Sequence, residues 1–143
     1  WRNRNMDKKI LVIDGQGGQL GSQIVKALLA KFPGITVTAI GTNATATSAM
    51  LKAGAASGAT GENPVIVACR KADIIIGPIG IVIADALMGE VTPAMAVAVG
   101  QADATRILIP MNKCENLIAG VSNLSTSVLI QDAISKVGLL LGQ

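Results

Sequence analysis

A four-residue apolar run, Ile10-Leu11-Val12-Ile13, stops at Asp14 and a glycine-dense turn, and a helical stripe starts directly after it. Few folds put those three things in that order. The run is short, β-branched and apolar throughout, so it reads as a strand buried on both faces. The stripe is Leu20, Ile24, Val25, Leu28, Leu29 and Phe32, at three- and four-residue spacing, which is one side of a helix. Between them stand Gly15, Gly17, Gly18 and Gly21. A strand feeding a helix through such a turn aims backbone N–H groups at the space above it, and that favours an anion such as a phosphate.

The same alternation continues. Pro33-Gly34 ends the first helix, and Ile35–Ile40 is a second strand closed by Gly41. Thr47–Ala55 is predicted as a short helix with Met50 and Leu51 inward, followed by a flexible connection through Gly54, Gly58 and Gly61. Asn63-Pro64 reads as a helix start, Asn capping and Pro in the first helical position. Ile74–Ile76 is a third strand, ended by Gly77-Pro78. Ile81–Met88 fits a helix or a strand by periodicity alone, and helix is the preferred reading. Thr92-Pro93 opens a helix to about Val99, and Arg106–Ile109 is a fourth strand. Leu117–Val121 is predicted as a short edge strand. Ser125 or Thr126 caps a last helix with Ile130, Ile134, Val137 and Leu141 on one side. Apolar strands alternating with striped helices predict a three-layer α/β sandwich with a mainly parallel sheet. Ligands in such sheets bind beyond the carboxyl ends of the strands. The turns after the strands should therefore converge at one edge.

At 143 residues the chain is expected to form one domain, over residues 6–143. Met6 reads as a natural start, and residues 1–5 as an extension outside the fold. Half of the residues are apolar and 15% are charged, while Trp1 and Phe32 are the only aromatics. The core must then be aliphatic, and the surplus of apolar residues predicts a homo-oligomer. The most apolar run, Ile74–Ala84, contains Pro78 and Gly80 and is far shorter than the ~20 residues of a membrane span. Without a signal peptide, a cytoplasmic location is expected. The net charge is +3, of which Arg2 and Arg4 supply two charges. Basic residues are scattered with no aromatics among them, so nucleic acid is not an expected partner.

The glycine pattern departs from the dinucleotide fingerprint G-x-G-x-x-G, whose third glycine would fall at Leu20; here it falls at Gly21. The acid that usually holds a ribose at the end of the second strand is missing. Thr42 and Asn43 stand there, with no Arg nearby for a 2′-phosphate. Asp14 would repel a pyrophosphate unless a metal or proton intervened. A P-loop is a poorer match, because the Lys-Ser/Thr pair is missing and Ser22 has no Lys before it. Asp14, Glu62, Asp85 and Glu90, with Asn43, Asn63 and Asn112, are acids and amides near strand ends; caps and solvated turns are the simpler reading, and no metal site is expected. Lys113 is placed to pair with a phosphate. Cys114 has no His to activate it, since the chain has neither His nor Tyr. Cys69, on an apolar helix face, reads as core. Any acid–base work would fall to Asp, Glu, Lys or Cys, and no catalytic residue is named.

The runs Val12–Gly18, Gly41-Thr42-Asn43, Ala46–Ala55, Gly61-Glu62-Asn63, Ala72–Ile81 and Ile109–Cys114 resemble a family of small bacterial proteins known only as a domain of unknown function, DUF3842. The resemblance implies a Rossmann-like domain and no established activity. Two functional expectations follow from the residues themselves. In the first, a nucleotide, NAD(P) among the possibilities, or another small phosphorylated ligand binds at Asp14, Gly15, Gly17, Gly18, Gly21, Thr42, Asn43, Asn112 and Lys113. In the second, the chain is a non-catalytic oligomeric or regulatory module whose glycine turn serves packing.

Overall fold

The computed structural model describes residues 7–111 and 116–143. Asn112, Lys113 and Cys114 therefore lie outside the described residues, as do Met6 and the five residues before it.

Among the described residues five strands form one parallel sheet: β1 (Ile10–Asp14), β2 (Val37–Gly41), β3 (Ser57–Thr60), β4 (Ile74–Pro78) and β5 (Thr105–Ile109). Their order is β3-β2-β1-β4-β5, and every neighbouring pair is parallel. The direction of winding reverses between β1 and β4. Five α-helices among the described residues connect and cover the strands: α1 (Gln19–Lys31), α2 (Ala44–Lys52), α3 (Glu62–Lys71), α4 (Pro93–Gln101) and α5 (Thr126–Leu140). This is the predicted three-layer, Rossmann-like sandwich.

β1 lies at the centre, and its alternation divides the core in two. Ile10 and Val12 join Ile24, Leu28, Met50, Ile134 and Val137 beneath α1, α2 and α5. Leu11 and Ile13 join Val65, Cys69, Met95 and Val99 beneath α3 and α4. A strand covered on both faces must be apolar at every position, which is why Ile10–Ile13 has no polar residue. The striped helices sit as their spacing requires. Ile24, Val25, Leu28 and Phe32 are sealed on α1, and Ile130, Ile134, Val137 and Leu141 are sealed at α5. Ser125 caps α5 by accepting from the Val128 N–H, and Thr92 caps α4 by accepting from Met95. No helix among the described residues is long and apolar enough to cross a membrane.

Four local expectations are corrected. The expected flexible connection after Gly54 contains β3, whose residues are all exposed. It pairs with β2 from Thr38↔Ser57 to Gly41↔Thr60, so the backbone ladder and not side-chain burial makes it a strand. Helix α3 begins two residues earlier than its Asn-Pro signal, which put Pro64 in the first helical position. Gly61, at φ +104°, precedes Glu62, and Pro64 falls inside the first turn, where a missing N–H costs nothing. The helix expected over Ile81–Met88 is a 3₁₀ helix at Ile79–Val82 followed by turns. Asp85, Leu87 and Met88 all have φ between +56° and +64°, which no right-handed helix admits. Lastly, Leu117–Val121 forms no strand. It turns at Gly120 (φ +80°) and leaves Leu117 bare, so it has no apolar face to bury.

Candidate functional site

The parallel ladders bring the carboxyl ends of the strands to one edge. Asp14 is in register with Gly41, Gly41 with Thr60, and Pro78 with Ile109. At the centre of that edge the chain leaves β1, turns through Gly15–Gly18, and enters α1. The turn is closed by the Gly18 N–H donating to the Gly15 carbonyl at 2.9 Å.

Asp14 is turned under this loop, away from solvent. It is only 4% exposed. One carboxylate oxygen accepts from the Gly15 N–H at 2.8 Å and the other from the Gly21 N–H at 2.7 Å. The side chain thus anchors the first turn of α1 to the end of β1. Burial pushes its carboxyl above the ordinary aspartate range; the Gly21 and Gly15 N–H groups oppose that shift, and the Glu90 charge adds to it.

The four glycines divide by what surrounds them. At Gly15 a Cβ would come within 2.6 Å of Thr42 Oγ1 and 2.8 Å of Leu87 Cδ1. Gly18 sits at φ +73° against the Ala46 backbone, and at Gly21 a Cβ would meet Met50 Sδ at 2.6 Å. Those three let neighbouring elements approach. Gly17 has nothing within 4 Å of a Cβ and faces open space. Beside it, three N–H groups find no acceptor among the described residues: those of Gly17, Gln19 and Leu20.

Thr42 and Asn43, at the end of β2, do not stand alone. Glu90 reaches them from the loop between β4 and α4. Its Oε1 accepts from Thr42 Oγ1 at 2.6 Å, from Asn43 Nδ2 at 2.8 Å and from the Gln16 N–H at 2.9 Å. Burial alone would raise the Glu90 carboxyl, but the bonds from Thr42, Gln16 and Asn43 outweigh it and hold the group below its ordinary range. Asn43 also donates to the Gln16 carbonyl at 2.9 Å and caps α2 by accepting from the Ala46 N–H. The loop that delivers Glu90 contains the three non-glycine residues at positive φ noted above. Each costs of order 1–3 kcal/mol and persists only where its surroundings over-determine it; Leu87, 2% exposed, is packed into the core.

The structure thus brings together Asp14, Gly15, Gly17, Gly18, Gly21, Thr42 and Asn43, while Asn112 and Lys113 lie outside the described residues. Glu90 is the member that sequence reasoning left among loop acids. It is 74 residues from Gln16, and no local pattern marks that pairing. Glu62 instead accepts from Thr92 Oγ1 at 2.6 Å. Among the described residues no group of three or more His, Cys, Asp and Glu side chains is placed to hold a metal. A cleft of about 730 Å³ lies away from the loop, between α3 and the starts of β1 and β2, beside Lys8, Lys9 and Lys71.

Comparison with known proteins places the chain in a family without placing it in a reaction. No curated protein matches it in sequence. Among solved structures it is similar to a dodecameric FMN-dependent UbiX-like decarboxylase from Escherichia coli O157:H7, with 11% identity, 94% of each chain covered and a TM-score of 0.44. A likeness that distant decides nothing about ligand or assembly. The match that decides membership is to a family model described as a domain of unknown function, which covers residues 9–141; the chain belongs to the DUF3842 family.

Proposed function

We propose that this chain binds a nucleotide or another small phosphorylated molecule at the carboxyl edge of its sheet, over the turn between β1 and α1. The observation that carries the reading is the set of N–H groups of Gly17, Gln19 and Leu20, which have no acceptor among the described residues and border open space at Gly17. They lie at the start of a 13-residue helix, whose dipole favours a negative group at that end. They also lie beside the point where the strand order reverses, the usual ligand crevice of such sheets. Asp14 does not oppose an anion there as its sequence position suggested. Its carboxylate is spent on Gly15 and Gly21 beneath the loop.

The test is a thermal-shift screen of nucleotides, dinucleotides and sugar phosphates against the full chain. A ligand at ~100 times its Kd adds ~2.7 kcal/mol of stability, a plain rise in Tm. Gly17→Val should abolish that rise with the fold intact, since the space a side chain would fill is empty. Lys113→Ala should weaken it, on the expectation that this residue pairs with the phosphate. A bound ligand that is indifferent to both changes lies elsewhere.

One observation favours the second reading, an oligomeric or regulatory module. Gly15, Gly18 and Gly21 are all accounted for by close packing, so the loop's composition does not by itself require a ligand. Several large apolar side chains are bare, Met88 at 95% and Leu139 at 75% among them. Light scattering across a wide concentration range, together with a blank ligand screen, would favour that reading if the chain self-associates.

A further inference from the structure

The end of β2 carries no acid, yet a carboxylate stands there. We propose that Glu90 reads the sugar of the bound nucleotide, its Oε2 accepting hydrogen bonds from the vicinal hydroxyls of a ribose. The inference rests on the nucleotide reading above and names the ligand class more narrowly.

Three observations carry it. The first is position. Thr42 Oγ1 and Asn43 Nδ2 hold the Glu90 carboxylate against the end of β2, at 2.6 and 2.8 Å. That is where sheets of this winding place the acidic group that takes ribose hydroxyls. Here the group arrives from the β4–α4 loop, so the order of residues along the chain conceals it.

The second is the use of its two oxygens. Oε1 takes all three protein donors, and no donor among the described residues reaches Oε2. The side chain is half-buried, neither sealed nor free. An ionised carboxylate accepts and never donates, so its vacant oxygen suits a hydroxyl and repels a phosphate.

The third is the separation of the donor sets. Glu90 uses the Gln16 N–H, while the open N–H groups belong to Gly17, Gln19 and Leu20. A phosphate on the latter leaves Glu90 in place. The loops over residues 14–22, 41–47 and 79–92 contain no Lys or Arg, so no cation of theirs competes for the carboxylate. One end of the site then takes an anion and the other takes hydroxyl donors, which is the polarity of a nucleoside phosphate. Thr42 and Asn43 act through Glu90 and are positioning residues.

The plain competitor is that Glu90 only braces the three loops. Calorimetric titration of the full chain with pyrophosphate, ADP and 2′,3′-dideoxy-ADP separates the two. Dideoxy-ADP should bind at least about tenfold more weakly than ADP, because a site built for hydroxyls rejects the analogue that lacks them. Glu90→Gln should shrink that gap below about threefold by removing the charge that strengthens the bonds, and should bind pyrophosphate at least as tightly as the parent. Equal binding of ADP and dideoxy-ADP by the parent overturns the proposal and leaves the phosphate site standing. A Glu90→Gln variant that loses pyrophosphate and ADP by one factor identifies a brace and overturns it too. If Glu90→Gln does not fold, the parent's comparison decides alone. If none of the three probes binds, this inference and the nucleotide reading fall together.

Discussion

Glu90 and Gln16 are 74 residues apart, and the carboxylate of the first accepts the backbone N–H of the second at 2.9 Å. That bond joins the β4–α4 loop to the glycine turn, and the same oxygen's bonds from Thr42 and Asn43 bring the end of β2 into the group. It is why the carboxyl edge behaves as one unit, with Asp14 below the turn and Glu90 above it.

Asp14→Asn tests the lower half. The amide keeps one acceptor oxygen but turns an NH₂ toward an N–H donor, at Gly21 or Gly15, leaving a buried group unsatisfied. A loss of about 1–3 kcal/mol is expected in urea unfolding. A loss under about 0.5 kcal/mol, the range of ordinary surface changes, would mean the two bonds add nothing net.

The two carboxyls pull stability in opposite directions with pH. Glu90 is held below its ordinary value of 4.5, so its contribution is present above that value and is lost as pH falls through the lowered folded one. Asp14 is held above its ordinary value of 3.8. Its folded form takes up a proton first, so its ionisation penalty is relieved on acidification, and stability falls as pH rises through the raised value. Denaturant unfolding measured from pH 3 to 6, a window of about the ordinary carboxylate values on either side, should show a shallower acid loss in Glu90→Gln than in the parent. Asp14→Asn should show a steeper one. Parallel curves in all three proteins would contradict the assignment.

Substitutions along the glycine turn should separate packing from binding. Gly18→Ala must hold φ +73° and meets the Ala46 backbone, while Gly21→Ala meets Met50 Sδ. Each should cost about 1–3 kcal/mol through overpacking. Gly17→Ala has open space and is not at positive φ, so it should be neutral or stabilising by up to about 1 kcal/mol. Thermal melts of the three variants side by side give the answer; equal losses would mean the turn is strained as a whole.

Cys69 should be inert while the chain is folded. It is 4% exposed, and burial pushes its thiol up to about 11, so almost no thiolate exists at neutral pH. Iodoacetamide followed by peptide mass spectrometry should find Cys69 unmodified in buffer and labelled in denaturant. Rapid native labelling would show that α3 lifts from the sheet.

How much of this was legible in the chain follows from what each element rests on. β1, α1, α4 and α5 were readable because side-chain burial or a cap makes them: Ile10–Ile13, the Leu20–Phe32 stripe, Thr92-Pro93 and Ser125. Burial also fixed β2, β4 and β5 within a few residues. Periodicity leaves the Ile81–Met88 segment open between helix and strand, and it cannot register that Asp85, Leu87 and Met88 adopt positive φ. In the site, the turn and its glycines were visible, whereas the inward posture of Asp14 and the arrival of Glu90 depend on contacts across 7 and 47–74 residues. Spacing arguments reach one turn or one strand, and no further.

β3 is a strand written in the main chain. Ser57, Gly58, Ala59 and Thr60 are all exposed, and their ladder to β2 holds them, with hydroxyl bonds between Thr38 and Ser57 and from Thr47 to Thr60 and the Ala59 carbonyl. A saturation scan should therefore return a lopsided map. Most side chains would be accepted at Ser57 and Ala59. Proline would be rejected where it removes a ladder donor, and any side chain at Gly58 would strike the Ala39 carbonyl, 2.9 Å from its Cβ. Such a segment can drift freely in letters while its shape stays fixed, and a reader of sequences alone would file it as a linker.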